Sequence, residues 1–158
     1  MENANKFKSL GKTKVINGSI LNPHNAGLRF VLSINDLAGG SSNPLLPVFD
    51  KKWKKVREET RGWFATKTGA YKLGAIHTTA VQSDTWVIHM LCQDEEVNVS
   101  EQGVTDCLKA VAKLAKYEKA TVHVSHVLTS NMPKSFMSLL ESELINQGVS
   151  VYFYEEPA

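Results

Sequence analysis

The chain of 158 residues has only two cysteines, Cys92 and Cys107, set in apolar surroundings at no metal-ligand spacing. A disulfide framework and a zinc site gain no support, and both thiols are expected to be buried. No apolar run reaches the roughly 18 to 20 residues of a membrane span, and the polar lead of residues 1–13 has no apolar signal-peptide core. A cytoplasmic protein without membrane association is the expectation. Charge of one sign is scarce as well. The 18 basic and 16 acidic residues leave a formal net charge of +2, too mild for the concentrated basic face of a nucleic-acid binder. Five basic residues fall between Lys51 and Arg57, but Glu58 and Glu59 follow at once. That cluster reads as a solvated helix face.

The usual signatures of chemistry are missing. There is no GKS/T or GxGxxG phosphate motif, no GxSxG elbow and no HxxxH helix spacing. His77, His89, His123 and His126 fall in expected strands, where core or edge positions account for them. His126, at the end of its strand, is the histidine that can reach a site at the sheet's carboxyl edge. Asp36 is the carboxylate nearest the first loop, and Asp94-Glu95-Glu96 reads as a solvated connection.

What is present is 42% hydrophobic and 22% charged residues, the balance of a soluble globular protein. At this length the expectation is one domain over residues 1–158. The stretch from Arg29 to Trp53 organises the reading. An apolar run, Phe30 to Ile34, stops at Asn35-Asp36 and passes through Gly39-Gly40-Ser41-Ser42-Asn43-Pro44 into helical spacing at Leu45, Leu46, Phe49, Trp53 and Val56. Strand, small-residue loop and helix in that order place backbone N–H groups where they can hold an anion. On spacing alone a plain turn is the favoured reading of the Gly/Ser loop.

Elsewhere, Val15-Ile16 reads as a short strand before an Asn17-Gly18 turn, and Lys67-Thr68-Gly69 breaks the apolar signal that follows the first helix. Tyr71–Val81 and Thr85–Leu91 flank Gln82-Ser83-Asp84 as a hairpin. Glu101 to Tyr117 is the clearest helix, with Ser100 as N-cap. Ala120–Val127 reads as a strand, Pro133 opens a helix buried through Phe136, Leu140 and Leu144 with Met137 beside them, Gly148 ends it, and Val149–Tyr154 is the last strand. Strands alternating with helices around one hairpin predict a three-layer α/β/α sandwich with a mixed central sheet.

The order of these pieces resembles a macro domain, the ADP-ribose-binding α/β/α fold, and most nearly its terminal ADP-ribose glycohydrolase branch. The resemblance runs from about Val15 to Tyr154. It is carried by Val15–Leu21 at the opening turn, Arg29–Asn35 before the first phosphate loop, Gly39–Pro44 with Phe49–Trp53 at that loop and its helix, Tyr71-Lys72-Leu73-Gly74, Trp86–Gln93 and Val149–Tyr154. It implies a site binding ADP-ribose or a related nucleotide diphosphate, with no cofactor and no metal. Asn35 and Asp36 would serve the distal ribose, Gly39, Gly40, Ser41 and Ser42 the phosphates, Ser130 and Asn131 the second wall, and Ser19, Ile20 and Tyr154 the adenine end. The ligand could be attached to a protein or a nucleic acid.

Three departures bear on activity. Ser19 stands where the family has an Asp, and Val127–Pro133 has no glycine where the family's second loop is glycine-rich. Cys92 or Gln93, and Met132, occupy the positions of the hydrolytic Lys and Asp. The resemblance thus implies a binding module rather than a glycohydrolase of the usual type. The alternatives are a divergent hydrolase of ADP-ribosyl linkages or ADP-ribose phosphate, using Asn35, Asp36 or His126 to orient a water, and a ligand-free scaffold for protein contacts.

Overall fold

Phe30 to Ile34 are apolar at nearly every position, which suits a strand covered on both faces. The computed structural model, which describes residues 10–39, 43–66 and 69–155, places them in strand β2 (Arg29–Asp36), where every residue after Arg29 is buried. The strand runs through Asn35 and Asp36 rather than stopping before them, because Asn35 still pairs with Leu91 and Asp36 with Gln93 on the neighbouring strand.

The elements follow in the order β1 (Thr13–Ile16), β2, α1 (Leu46–Phe49), α2 (Lys55–Ala65), β3 (Ile76–Gln82), β4 (Thr85–Gln93), α3 (Glu101–Glu118), β5 (Thr121–Ser125), α4 (His126–Ser130), α5 (Ser135–Glu143), a 3₁₀ turn (Ile145–Gln147) and β6 (Val151–Tyr154). The described residues form one six-stranded sheet in the order β1-β6-β5-β2-β4-β3. Every neighbouring pair is parallel except β3 with β4. This is the mixed α/β sheet expected from the hairpin. Asn43 and Thr60 reach Ser33 and His89 from the α1–α2 side, while α3 packs on β4 and against α5. No described helix is long and apolar enough to cross a membrane.

Four local expectations need correction. The single helix expected from Leu45 onward is two helices with Trp53 between them. Leu45, Leu46, Phe49, Trp53 and Val56 are all buried as the spacing implies, but the chain turns a corner there. Trp53 is drawn in against Phe49, at 5.9 Å between rings, and Lys52 Nζ is held by the Leu21 carbonyl at 2.8 Å. Tyr71–Ala75 is not strand; β3 begins at Ile76, after Gly74 takes a left-handed φ of 94°. The strand expected over Ala120–Val127 stops at Ser125, whose side chain accepts the Val127 N–H at 3.0 Å and so caps α4. His126 therefore opens a helix instead of ending a strand. Met137, expected beside the buried face of α5, is half exposed. The Lys67-Thr68 break and residues 1–9 lie outside the described residues.

Candidate functional site: the carboxyl edge of the sheet

Because β1, β6, β5, β2 and β4 are parallel, Ile16, Tyr154, Ser125, Asp36 and Gln93 end at one edge. That edge gathers Ser19, Ile20, Asn35, Asp36, Gly39, His126, Ser130, Asn131 and Tyr154 on the strand ends and the loops that leave them. Gly40, Ser41 and Ser42 lie outside the described residues.

The first loop is pinned at both ends. Asp36 Oδ1 accepts the Ala38 N–H at 2.8 Å, and its carbonyl accepts the Gly39 N–H at 3.2 Å and the Tyr71 hydroxyl at 2.6 Å. At the far end, buried Asn43 donates to Ser33 Oγ at 2.8 Å and accepts the Leu45 N–H at 2.9 Å, capping the turn into α1. The β2–β4 register slips between Asn35 and Asp36, skipping Cys92, and the Cys92 carbonyl goes to Ser100 N–H instead. A bulge at a strand end re-aims the residues beside it.

Asn35, with Arg29 and Trp53, is one of three described residues that have a buried side-chain polar atom without a partner. Its side chain is 0% exposed, yet neither Oδ1 nor Nδ2 has a hydrogen-bond partner. Buried amides are normally satisfied, and an orphaned one costs about 1 to 3 kcal/mol. Beside it stands Tyr71, edge-on to Trp63 at 4.7 Å and to Phe64 at 5.4 Å. Burial pushes the Tyr71 hydroxyl above its ordinary pKa, and the Asn35 side chain acts on it in the opposite sense. That approach falls short of a formed hydrogen bond.

The second wall differs from a glycine-rich loop. Thr129 and Ser130 hydroxyls and Asn131 Nδ2 all donate back to carbonyls of α4, Asn131 to Val127 O at 2.8 Å. Ser130 and Asn131 are exposed but turned onto their own helix. Below them a cavity of about 310 Å³ runs between β1, β6 and α5, with Val15, Val124 and Phe153 among its apolar lining and His126, Thr129 and Glu155 among its polar lining.

At the opening turn, Ser19 Oγ accepts the Leu21 N–H at 3.1 Å and Ile20 is buried. Tyr154 lines the cavity but is only 1% exposed. Its hydroxyl accepts the His24 N–H at 2.7 Å and bonds His123 Nδ1 at 2.7 Å, while His123 Nε2 bonds Thr121 Oγ1 at 2.7 Å. Burial lowers the His123 pKa to about 3, with Arg29 and His24 adding to the effect. The phenol is thus committed to holding the 22–27 loop to the sheet.

Cys92, Gln93 and Met132 present no group poised for acid or base chemistry. Burial pushes the Cys92 thiol to about 12 and the Cys107 thiol higher still. Gln93 Nε2 donates to the Val97 carbonyl at 3.4 Å, and Met132 is buried. Among the described residues no group of three or more His, Cys, Asp or Glu could hold a metal ion. Sequence reading missed Asn43, Tyr71, Trp63 and Phe64. Asn43-Pro44 before a helical pattern was a legible capping signal, whereas Tyr71 meets Asp36 across 35 residues and leaves no local trace.

Neither a protein-family model nor a curated protein sequence matches the chain. Solved structures do resemble it. A protein from Bacteroides thetaiotaomicron superposes with a TM-score of 0.83 at 24% identity, covering 92% of this chain and 100% of its own. A macrodomain protein from Streptomyces coelicolor gives 0.81 at 20% identity, covering 92% and 99%. Thermosipho africanus DarTG, solved in complex with ADP-ribose, gives 0.69 at 12% identity, covering 92% of this chain and 42% of its own.

Proposed function

From a macrodomain fold with an unsatisfied amide at its carboxyl edge, we propose that the chain is a module binding ADP-ribose or a closely related nucleotide diphosphate, free or attached to a protein or nucleic acid. The observation that carries the reading is Asn35. A buried donor and acceptor without partners suit a ligand rich in hydroxyls, and a ribose diol supplies both complements. Asn35 and Asp36 serve the distal ribose, and Gly39 leads into Gly40, Ser41 and Ser42 for the diphosphate. Ser130 and Asn131 would form the second wall by turning away from the α4 carbonyls they now bond. Ser19, Ile20 and the apolar cavity beside Tyr154 form the adenine end, with Tyr154 contributing its ring and not its committed hydroxyl. The ADP-ribose complex of the similarly folded Thermosipho africanus protein supports the ligand class. Two buried free thiols fit a cytoplasmic compartment.

Calorimetry and thermal shift with ADP-ribose test the proposal. Binding heat and a rise in melting temperature are expected, and silence in both at millimolar ligand removes it. A hydrolytic reading draws on His126, which is exposed and lines the cavity. It requires release of label from an ADP-ribosylated substrate, lost in His126→Ala.

A further inference from the structure

The sheet is not evenly covered. On β3, His77 and Thr79 turn to α2, where Glu59 meets them at 2.9 and 3.4 Å. Alternate residues of a strand face opposite ways, so Ile76 and Thr78 look to the other side, where α3 covers β4 and only the margin of β3. Both are left half-buried. Along this margin lies a cavity of about 960 Å³, with Ile76 on β3 and Ala110, Leu114 and Tyr117 on α3 in its apolar wall. The three α3 residues recur at i, i+4 and i+7, one stripe of the helix about 10 Å long. Tyr117 is 82% exposed, the most open large apolar side chain among the described residues. Lys109, Lys113 and Lys116 line the same cavity, against one carboxylate among the described residues, Glu143. All three lysines are exposed, and none of their ammonium groups has an ion pair or hydrogen bond with a described residue. Asp106, one turn before Lys109, is engaged by Gln102 at 2.9 Å. Lysines at these spacings repel one another, and a solvated helix face normally interleaves acids with them.

We propose that this groove is a docking surface for an acidic amphipathic helix of a partner protein. The partner's apolar stripe lies against Ile76, Leu114 and Tyr117, and its carboxylates meet Lys109, Lys113 and Lys116. An apolar wall that repeats with the helical period suits a helix laid alongside it. The lysine stems extend the apolar floor while their heads reach the partner's acids, and the same heads reject a basic helix. The surface is separate from the carboxyl edge. Because Ser100 N–H bonds the Cys92 carbonyl, α3 begins beside the end of β4; the groove lies on its second half, toward the opposite edge of the sheet.

Fluorescence anisotropy of labelled peptides titrated with the full chain tests this. One peptide of about four helical turns carries leucines at i, i+4 and i+7 flanked by glutamates. A second replaces the glutamates with lysines, and a third scrambles the acidic sequence. The acidic helix is expected to bind, more weakly as salt rises, and the other two to stay free. Tyr117→Ala, and separately the combined Lys109→Glu, Lys113→Glu and Lys116→Glu, are each expected to weaken binding about tenfold. All four side chains are exposed, and an unchanged melting temperature checks that the fold is retained. Silence of the acidic peptide at hundreds of micromolar protein, equal binding of the basic or scrambled peptide, or unchanged affinity in both variants would each overturn the assignment. So would a dimer in sedimentation that Tyr117→Ala dissolves, since a second copy then covers the face, or a preference for phosphatidylserine vesicles over the peptide.

Discussion

Gly39 shows how closely a single residue constrains the first loop. Its φ is +118°, and a Cβ there would stand 3.4 Å from the Phe64 ring. The space is tight but available, so the conformation is the larger obstacle to a side chain. Gly39→Ala is expected to cost about 1 to 3 kcal/mol, read as a lower denaturant midpoint, and to weaken ADP-ribose binding in parallel. A wild-type midpoint would show that the loop adopts another conformation with ease. Sequence reading singled out this residue because glycines beside a strand end advertise unusual backbone. It singled out Asn35 and Asp36 because polar residues interrupt an apolar run. It did not find Tyr71, Trp63 or Phe64, whose importance lies in contacts made across the fold. Nor did it foresee that the Tyr154 hydroxyl is taken by His24 and His123, a commitment visible only once β5 and β6 pair.

At the scale of elements, α3 was legible almost to its ends because every device agrees. Val104, Cys107, Leu108 and Val111 make the buried stripe, and the Ser100 side chain accepts the Gly103 N–H at 3.0 Å. Ser100→Ala is expected to cost about 1 kcal/mol. The other end carries a misfit: Lys119 takes the left-handed conformation, φ 59° and ψ 44°, at the position where helices favour glycine. Lys119→Gly is expected to raise stability by about 1 kcal/mol, since the Cβ penalty disappears. An unchanged or lower urea midpoint would refute that. The junctions were harder to read than the elements. The β-branched run Thr121–Val124 continues into His126-Val127 without a break in composition, and only the Ser125 cap marks where the strand becomes a helix. Likewise the periodic apolar positions from Leu45 to Val56 fit one helix, although the corner at Lys51–Trp53 divides them. Hydrophobic period reports which residues are buried more faithfully than whether the backbone between them is continuous.

For the whole molecule, the alternation of strands and helices implied the layers and a mixed sheet, but not the strand order β1-β6-β5-β2-β4-β3, since periodicity carries no pairing information. That order puts two histidines where water cannot follow. His89 lies on β4 with Thr60 and Thr79 hydroxyls at its two ring nitrogens, at 3.3 and 2.8 Å, and burial, with His77 nearby, lowers its pKa to about 3. His123 on β5 is lowered to about 3 by burial, Arg29 and His24. An unfolded histidine titrates near 6.5. Between those values the unfolded chain binds protons that the folded chain refuses, so stability falls as pH falls. It is complete above about pH 6.5 and erodes toward pH 3, by up to about 1.4 kcal/mol per pH unit for each histidine. By about pH 4.5 the pair would remove roughly 5 kcal/mol, comparable to the whole stability of many domains. The Asp50–Arg57 pair acts in a separate, lower window, because Arg57 holds the Asp50 carboxyl below its ordinary 3.8. Urea denaturation at pH 7 and pH 5 is therefore expected to show a clear drop in midpoint, and His89→Gln, which keeps polar atoms for Thr60 and Thr79 but cannot titrate, to halve the slope. An identical midpoint at both pH values, or a His89→Gln slope equal to the wild type, would mean that these imidazoles accept protons within the fold.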